Sequence, residues 1–174
     1  SDPVLWDAEN PNLYIVKATV TDQSVFRTHS NPVPIQTVDE AQTLFGIRTI
    51  TVDSVRGLRI NGKPVKLKGG CVHHDNGLLG AVSLYECEER KIRKLKETGF
   101  NAVRTAHNPP SGALVEACDR LGMYIFDEAF DAWGMAKRTG DYSQYFAALW
   151  EKDLTAFIKR DRVHPSVIMW STGN

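Results

Sequence analysis

Four short stretches of this chain end in side chains that acid–base and hydrogen-bonding chemistry uses: His73-His74-Asp75, Arg104 with His107-Asn108, Asp127-Glu128 with Asp131 and Trp133, and Trp170 with Asn174. Each follows a short apolar run of the kind that forms a strand buried on both faces. If those strands lie parallel, the four polar ends meet at one mouth, where barrels of alternating strands and helices build their active sites. Carboxylates, imidazoles, an amide and an Arg suit a ligand dense in hydroxyls, and a Trp face packs on the apolar face of a sugar ring. A single His at a strand end more often satisfies backbone groups. The convergence of four clusters is what argues for a site.

Other chemistries fit less well. His73, His74, Asp75 and His107 offer nitrogen and oxygen ligands for a metal, but adjacent strand side chains point to opposite faces, so His73 and His74 would not share an ion. No Gly-x-Ser-x-Gly turn is present for a Ser nucleophile, and Gly69-Gly70 is too short to cradle a phosphate. Lys+Arg and Asp+Glu both number 21, so charge gives no case for nucleic acid or an anionic membrane surface as partner. No apolar run approaches the ~20 residues that span a bilayer. Cys71, Cys87 and Cys118 are an odd count at wide spacing and read as free thiols. No cofactor is expected.

The elements that must position these clusters follow from pattern. Residues 1–55 read as all-β: Leu13–Val20 is rich in β-branched and aromatic residues, Ser30–Gln42 is polar and should be a loop, and Phe45–Val52 alternates as one half-buried strand. Leu58-Arg59-Ile60 and Val65–Lys68 flank Asn61-Gly62, a strong hairpin signal, and the second arm runs on into Gly69–Asp75. From there strands and helices alternate. Glu86–Thr98 is an amphipathic helix stopped by Gly99, and Asn101–His107 is a strand. Ser111 caps a helix that Gly122 ends, and Met123–Phe126 is a strand delivering Asp127-Glu128. Tyr142 to about Arg162 is helical, and Val167–Trp170 is the last strand. The order β-α-β-α-β-α-β makes a parallel sheet, either half of an eight-stranded barrel or an open doubly wound sheet. The last segment closes a buried strand with no helix to cover it, so a fragment of a larger enzyme, cut at its active site, is expected.

Two stretches carry a resemblance. Asn101-Ala102-Val103-Arg104-Thr105-Ala106-His107-Asn108-Pro109 and Asp161–Asn174, which ends Trp170-Ser171-Thr172-Gly173-Asn174, resemble the two signatures of glycoside hydrolase family 2. Cys118–Tyr124, Asp127-Glu128-Ala129 and Leu5–Tyr14 are similar as well. The resemblance implies the first half of a (β/α)8 TIM barrel (residues 56–174, strands 1 to 4), preceded by the C-terminal strands of an immunoglobulin-like β-sandwich (residues 1–55). It implies a retaining exo-β-glycosidase with a β-linked sugar as substrate, a galactoside being expected from the similarity of Gly69–Gly77 to bacterial β-galactosidase-like members. The oligomeric state is left open. The acid/base Glu would directly follow Asn174 and the nucleophilic Glu would lie on a later strand, so this chain alone should be inactive.

Residue by residue, the resemblance implies that Asn174 bonds the sugar 2-hydroxyl, that His107 binds a hydroxyl, and that Arg104 pairs with the nucleophile. His74 and Asp75 match a histidine–acid pair at the end of the first barrel strand. Asp131, Trp133 and Trp170 complete the expected substrate-binding set. Where magnesium-dependent β-galactosidases place a Glu and a His, this chain has Phe130-Asp131-Ala132-Trp133-Gly134, so no metal ligand is assigned. The alternative is a non-catalytic carbohydrate-binding or assembly domain.

Overall fold

The computed structural model describes residues 2–22 and 36–174, except the side chain of Gln36. The chain divides into two compact units, residues 14–45 and residues 1–13 with 46–174.

The smaller unit is an antiparallel ribbon of β1 (Tyr14–Asp22) and β2 (Gln36–Phe45), in register from Tyr14↔Phe45 to Asp22↔Gln36 with one irregularity at Val20/Thr21. Both strands show their described side chains mostly to solvent. The loop expected over Ser30–Gln42 is a strand from Gln36 onward, because a ribbon exposed on both faces needs no apolar alternation to advertise it. The remainder of that expected loop lies outside the described residues.

In the larger unit, β3 (Ile50–Asp53), β4 (Gly57–Ile60) and β5 (Lys63–Pro64) form an antiparallel three-stranded sheet. Asn61 and Gly62 both take positive φ, 52° and 77°, as the two-residue turn between β4 and β5 demands. The single strand expected over Phe45–Val52 is broken. Phe45 ends β2, and Gly46–Thr49 runs instead against Pro165 and Val167. A Cβ on Gly46 would stand 2.7 Å from the Pro165 side chain, and the Arg48 guanidinium donates to the carbonyls of Pro165 and Val167, each at 2.5 Å. Period-two alternation there reflects two packing environments, not one ladder.

The second sheet is parallel, ordered β6 (Gly69–Val72), β7 (Ala102–Thr105), β8 (Tyr124–Glu128) and β9 (Val167–Ser171). The helices α1 (Tyr85–Glu97), α2 (Gly112–Leu121) and α3 (Ser143–Asp161) connect them. Ser111 caps α2 by accepting from Leu114 N at 3.1 Å, and Gly122 ends it in the left-handed region at φ 75°.

Sheet and helices share a core of Ile92, Val103, Val115, Cys118, Met123, Ile125 and Val167. A second core holds Trp6, Ala8, Ile60, Ala102, Tyr124 and Ile168. It covers the amino ends of β7 and β8, with the Trp6 indole donating to the Asp119 carbonyl at 2.9 Å. The carboxyl ends of the strands are left for polar side chains.

Gly122 tests this packing. Its Cβ position lies 2.4 Å from the Ala8 carbonyl oxygen, whereas Gly99, at φ 92°, faces open space. Gly122→Ala should lower unfolding free energy by about 3 kcal/mol and Gly99→Ala by about 1 kcal/mol, read from urea midpoints. Equal losses would show that the opening segment does not pack on α2.

Candidate functional site

Glu128, the last residue of β8, is fully buried and is the hub of the polar cluster. Arg104 from β7 grips it with two guanidinium nitrogens: Nε donates to Oε2 at 2.8 Å and Nη2 to Oε1 at 2.9 Å. His107 Nδ1 lies 2.8 Å from Oε1, and Ser171 from β9 donates its hydroxyl to Oε2 at 2.8 Å. The Glu128 backbone N–H donates to Thr105 Oγ1 at 2.9 Å. Strand register produces this meeting. Cys71 pairs with Arg104, Arg104 with Phe126 and Glu128 with Ser171, so Arg104, Glu128 and Ser171 share one face. Burial pushes the Glu128 carboxyl up, but the bonds from His107, Ser171 and Arg104 outweigh it and hold the group below its ordinary range. The same contact, led by the Glu128 hydrogen bond, raises the Arg104 guanidinium.

Asn174 joins the cluster from the other side. Its Oδ1 accepts from Arg104 Nη2 and its Nδ2 donates to Asp131 Oδ1, both at 3.2 Å. Trp133 stands against Gly173, whose Cβ position is 2.2 Å from the indole nitrogen. His73 packs edge-on to His107, ring centroids 5.3 Å apart. A cleft of about 360 Å³ opens beside Asp131, bordered by Asn108, Phe130, Tyr142 and Phe157.

The structure therefore brings together Arg104, His107, Asp131, Trp133 and Asn174. His74, Asp75 and Trp170 make no described hydrogen bond or ring contact to that cluster. His74 lines a shallow recess with Pro110, Ser111 and Leu114. Asp75 accepts from Gly77 N at 3.0 Å and borders a separate groove with Arg90, Lys91 and Lys94, because the chain turns sharply after His73. Trp170 pairs with Asp127, so it points to the opposite face and meets the Phe157 ring of α3 at 5.3 Å.

Arg104, assigned by resemblance to a later carboxylate, already has Glu128. Sequence reasoning placed Glu128 in a strand-end cluster but gave it no role in the site, and it did not single out Ser171 or Lys137. The available signal was the pair Asp127-Glu128 at the end of a buried strand: two adjacent carboxyls face opposite ways, and each needs its own partners.

On that opposite face, Asp127 accepts from Thr105 Oγ1 at 3.2 Å, while its Oδ2 accepts no hydrogen bond among the described residues. Beside it lies Asp161, fully buried and paired with Arg160, whose Nε donates to Oδ1 at 2.6 Å. Burial, then the charge of Asp161, raises the Asp127 carboxyl to about 7. Protonated, Asp127 can donate to Asp161.

The two neighbours titrate in opposite senses. Glu128 is depressed, so its stabilisation is present above the unfolded value of about 4.3 and is lost as pH falls through the lower folded value. Asp127 is raised, so the fold keeps a proton that the unfolded chain releases above about 3.9. Stability should therefore decline as pH rises from there to about 7. Urea unfolding across pH should find Asp127→Asn more stable than the parent by about 1 kcal/mol at pH 8, with the gain vanishing towards pH 4. Glu128→Gln should be less stable by about 3 kcal/mol at pH 7, the deficit shrinking below about pH 4. A pH-independent effect of either would remove the assignment.

A divalent cation does not fit the loop after β8. Of its two carboxylates, Asp131 is paired with the Lys137 ammonium at 2.9 Å and Asp141 accepts from the Lys137, Arg138 and Ser143 N–H groups, and no group of three or more His, Cys, Asp or Glu among the described residues is placed to hold a metal.

Residues 51–174 match the family described as glycosyl hydrolases family 2, TIM barrel domain. The chain is 42% identical over 173 residues to beta-galactosidase BoGH2A of Bacteroides ovatus, covering 99% of this chain and 19% of that protein. Its fold superposes with TM-score 0.85 on a family 2 glycosyl hydrolase from Bacteroides cellulosilyticus, at 50% identity over 97% of this chain and 20% of that one. A Bacteroides uniformis beta-glucuronidase superposes with TM-score 0.78 at 30% identity, covering 97% and 18%. The chain thus spans about a fifth of the length of these relatives.

Proposed function

The chain belongs to glycoside hydrolase family 2, and from that membership we propose that it supplies strands 1 to 4 of the catalytic barrel in a retaining exo-β-glycosidase acting on β-galactosides. The observation that carries this is the Glu128 network, in which Arg104, His107 and Asn174 are fixed at the carboxyl ends of parallel strands, the end at which such barrels react. By family resemblance, Asn174 meets the sugar 2-hydroxyl, His107 takes another hydroxyl, and Trp133 offers an aromatic face. A hydrogen bond to the 2-hydroxyl strengthens towards the oxocarbenium-like transition state, where it lowers the barrier. Retention needs two carboxyl groups about 5 Å apart, one attacking and one protonating. In this reading both are supplied by residues beyond the 174 described by this sequence.

Galactoside specificity is supported by likeness to the Bacteroides ovatus beta-galactosidase. Residues 1–55 are read as the last strands of an immunoglobulin-like sandwich and residues 56–174 as the barrel. The β1–β2 ribbon supports the former, since a two-stranded ribbon is marginal by itself and belongs in a larger sheet.

The test is hydrolysis of aryl β-galactoside, β-glucuronide and β-mannoside by the longer protein that carries this chain, with the 174-residue chain as control. Turnover of the galactoside by the longer protein alone is expected. Preference for the glucuronide would reassign the sugar, and sugar affinity without turnover would favour a carbohydrate-binding domain.

A further inference from the structure

The loop after β8 contains a relay of polar contacts whose order matters. Lys137 Nζ donates to Asp131 Oδ1 at 2.9 Å, and the same oxygen accepts from Asn174 Nδ2 at 3.2 Å. At the other end of the amide, Asn174 Oδ1 accepts from Arg104 Nη2 at 3.2 Å. A guanidinium only donates and a carboxylate only accepts, so these two partners decide which way the carboxamide faces. Its oxygen is committed to Arg104 and one N–H to Asp131, which leaves the second N–H to donate. The backbone is tied to the same loop: Asn174 N donates to the Phe130 carbonyl at 2.9 Å, and a Cβ on Gly173 would stand 2.5 Å from that carbonyl oxygen.

We propose that Asp131 is a positioning residue rather than a sugar ligand: anchored by Lys137, it holds the Asn174 amide as a hydrogen-bond donor to the sugar. This rests on the reading above that Asn174 meets the 2-hydroxyl. Asp131 and Lys137 are each about half exposed, and an ion pair in that setting contributes little to folding. Its effect falls on the orientation of Asn174 instead. The Asp131 carboxyl sits below its usual range, chiefly through Lys137 and then Asn174, so it is an acceptor throughout the neutral range.

The experiment compares the longer protein with its Asp131→Ala, Lys137→Met, double and Lys137→Arg variants on aryl β-galactoside and its 2-deoxy analogue. On the parent sugar, kcat/KM should fall about tenfold for Asp131→Ala and about threefold for Lys137→Met. The double variant should be no slower than Asp131→Ala, because Lys137 acts through that carboxylate, and Lys137→Arg should recover most of the loss. On the 2-deoxy sugar, all variants should stay within about twofold of the unmodified protein. Equal losses on both sugars, or losses that multiply in the double variant, would overturn the proposal.

Failure of the underlying reading looks different. The unmodified protein would then hydrolyse both sugars alike, which removes the Asn174–hydroxyl contact and the proposal with it. If no glycoside is hydrolysed, calorimetric affinities for galactose and 2-deoxygalactose replace rates, with the same pattern expected and the same outcomes overturning it.

Discussion

A carboxylate withdrawn from water must find hydrogen-bond donors inside the protein, and Glu128 finds them on two other strands and a loop. Arg104 comes from β7, Ser171 from β9 and His107 from the segment after β7. Removing Arg104, which bonds both Glu128 carboxylate oxygens, would leave a buried charge uncompensated at a penalty of several kcal/mol. Glu128 therefore fixes the relative positions of three chain segments that sequence separates widely. The same grip turns the Arg104 guanidinium so that one of its nitrogens also reaches Asn174.

That arrangement depends on the two faces of one strand doing different work. Glu128 faces the polar mouth, while Asp127 faces α3 and shares its surroundings with Asp161 and Arg160. Thr105 joins the two sides, donating to Asp127 and accepting from the Glu128 N–H. At the other end of the sheet, Trp6, Ile60 and Tyr124 close the core with apolar surface. Polar chemistry is thereby confined to the carboxyl ends, against a rigid apolar base.

The loop from Ala129 to Lys137 extends the same logic outward. Phe130 holds the Asn174 backbone, Asp131 its side chain, and Trp133 the flank of Gly173. A ligand at Asn174 would meet an amide whose donor and acceptor ends are already assigned. Such preorganisation is what allows a hydrogen bond to favour a transition state without a reorganisation penalty.

The sequence by itself determined what depends on neighbours in the chain. The Asn61-Gly62 turn, the Ser111 cap, the Gly122 stop and the alternation from β6 to β9 all have local steric or hydrogen-bonding causes, and the two signature stretches carried the family. Tertiary structure alone decided which polar residues meet. A one-residue irregularity between Ile125 and Phe126 sets the pairing of β8 with β9, and that pairing sends Ser171 to Glu128 and Trp170 to Phe157. A turn after His73 sends Asp75 away from the mouth. The break at Gly46 comes from Pro165 and Arg48, partners more than a hundred residues apart from one another in the chain. Local pattern fixes which face a side chain takes only while its strand runs unbroken; register between strands is settled when the sheet assembles.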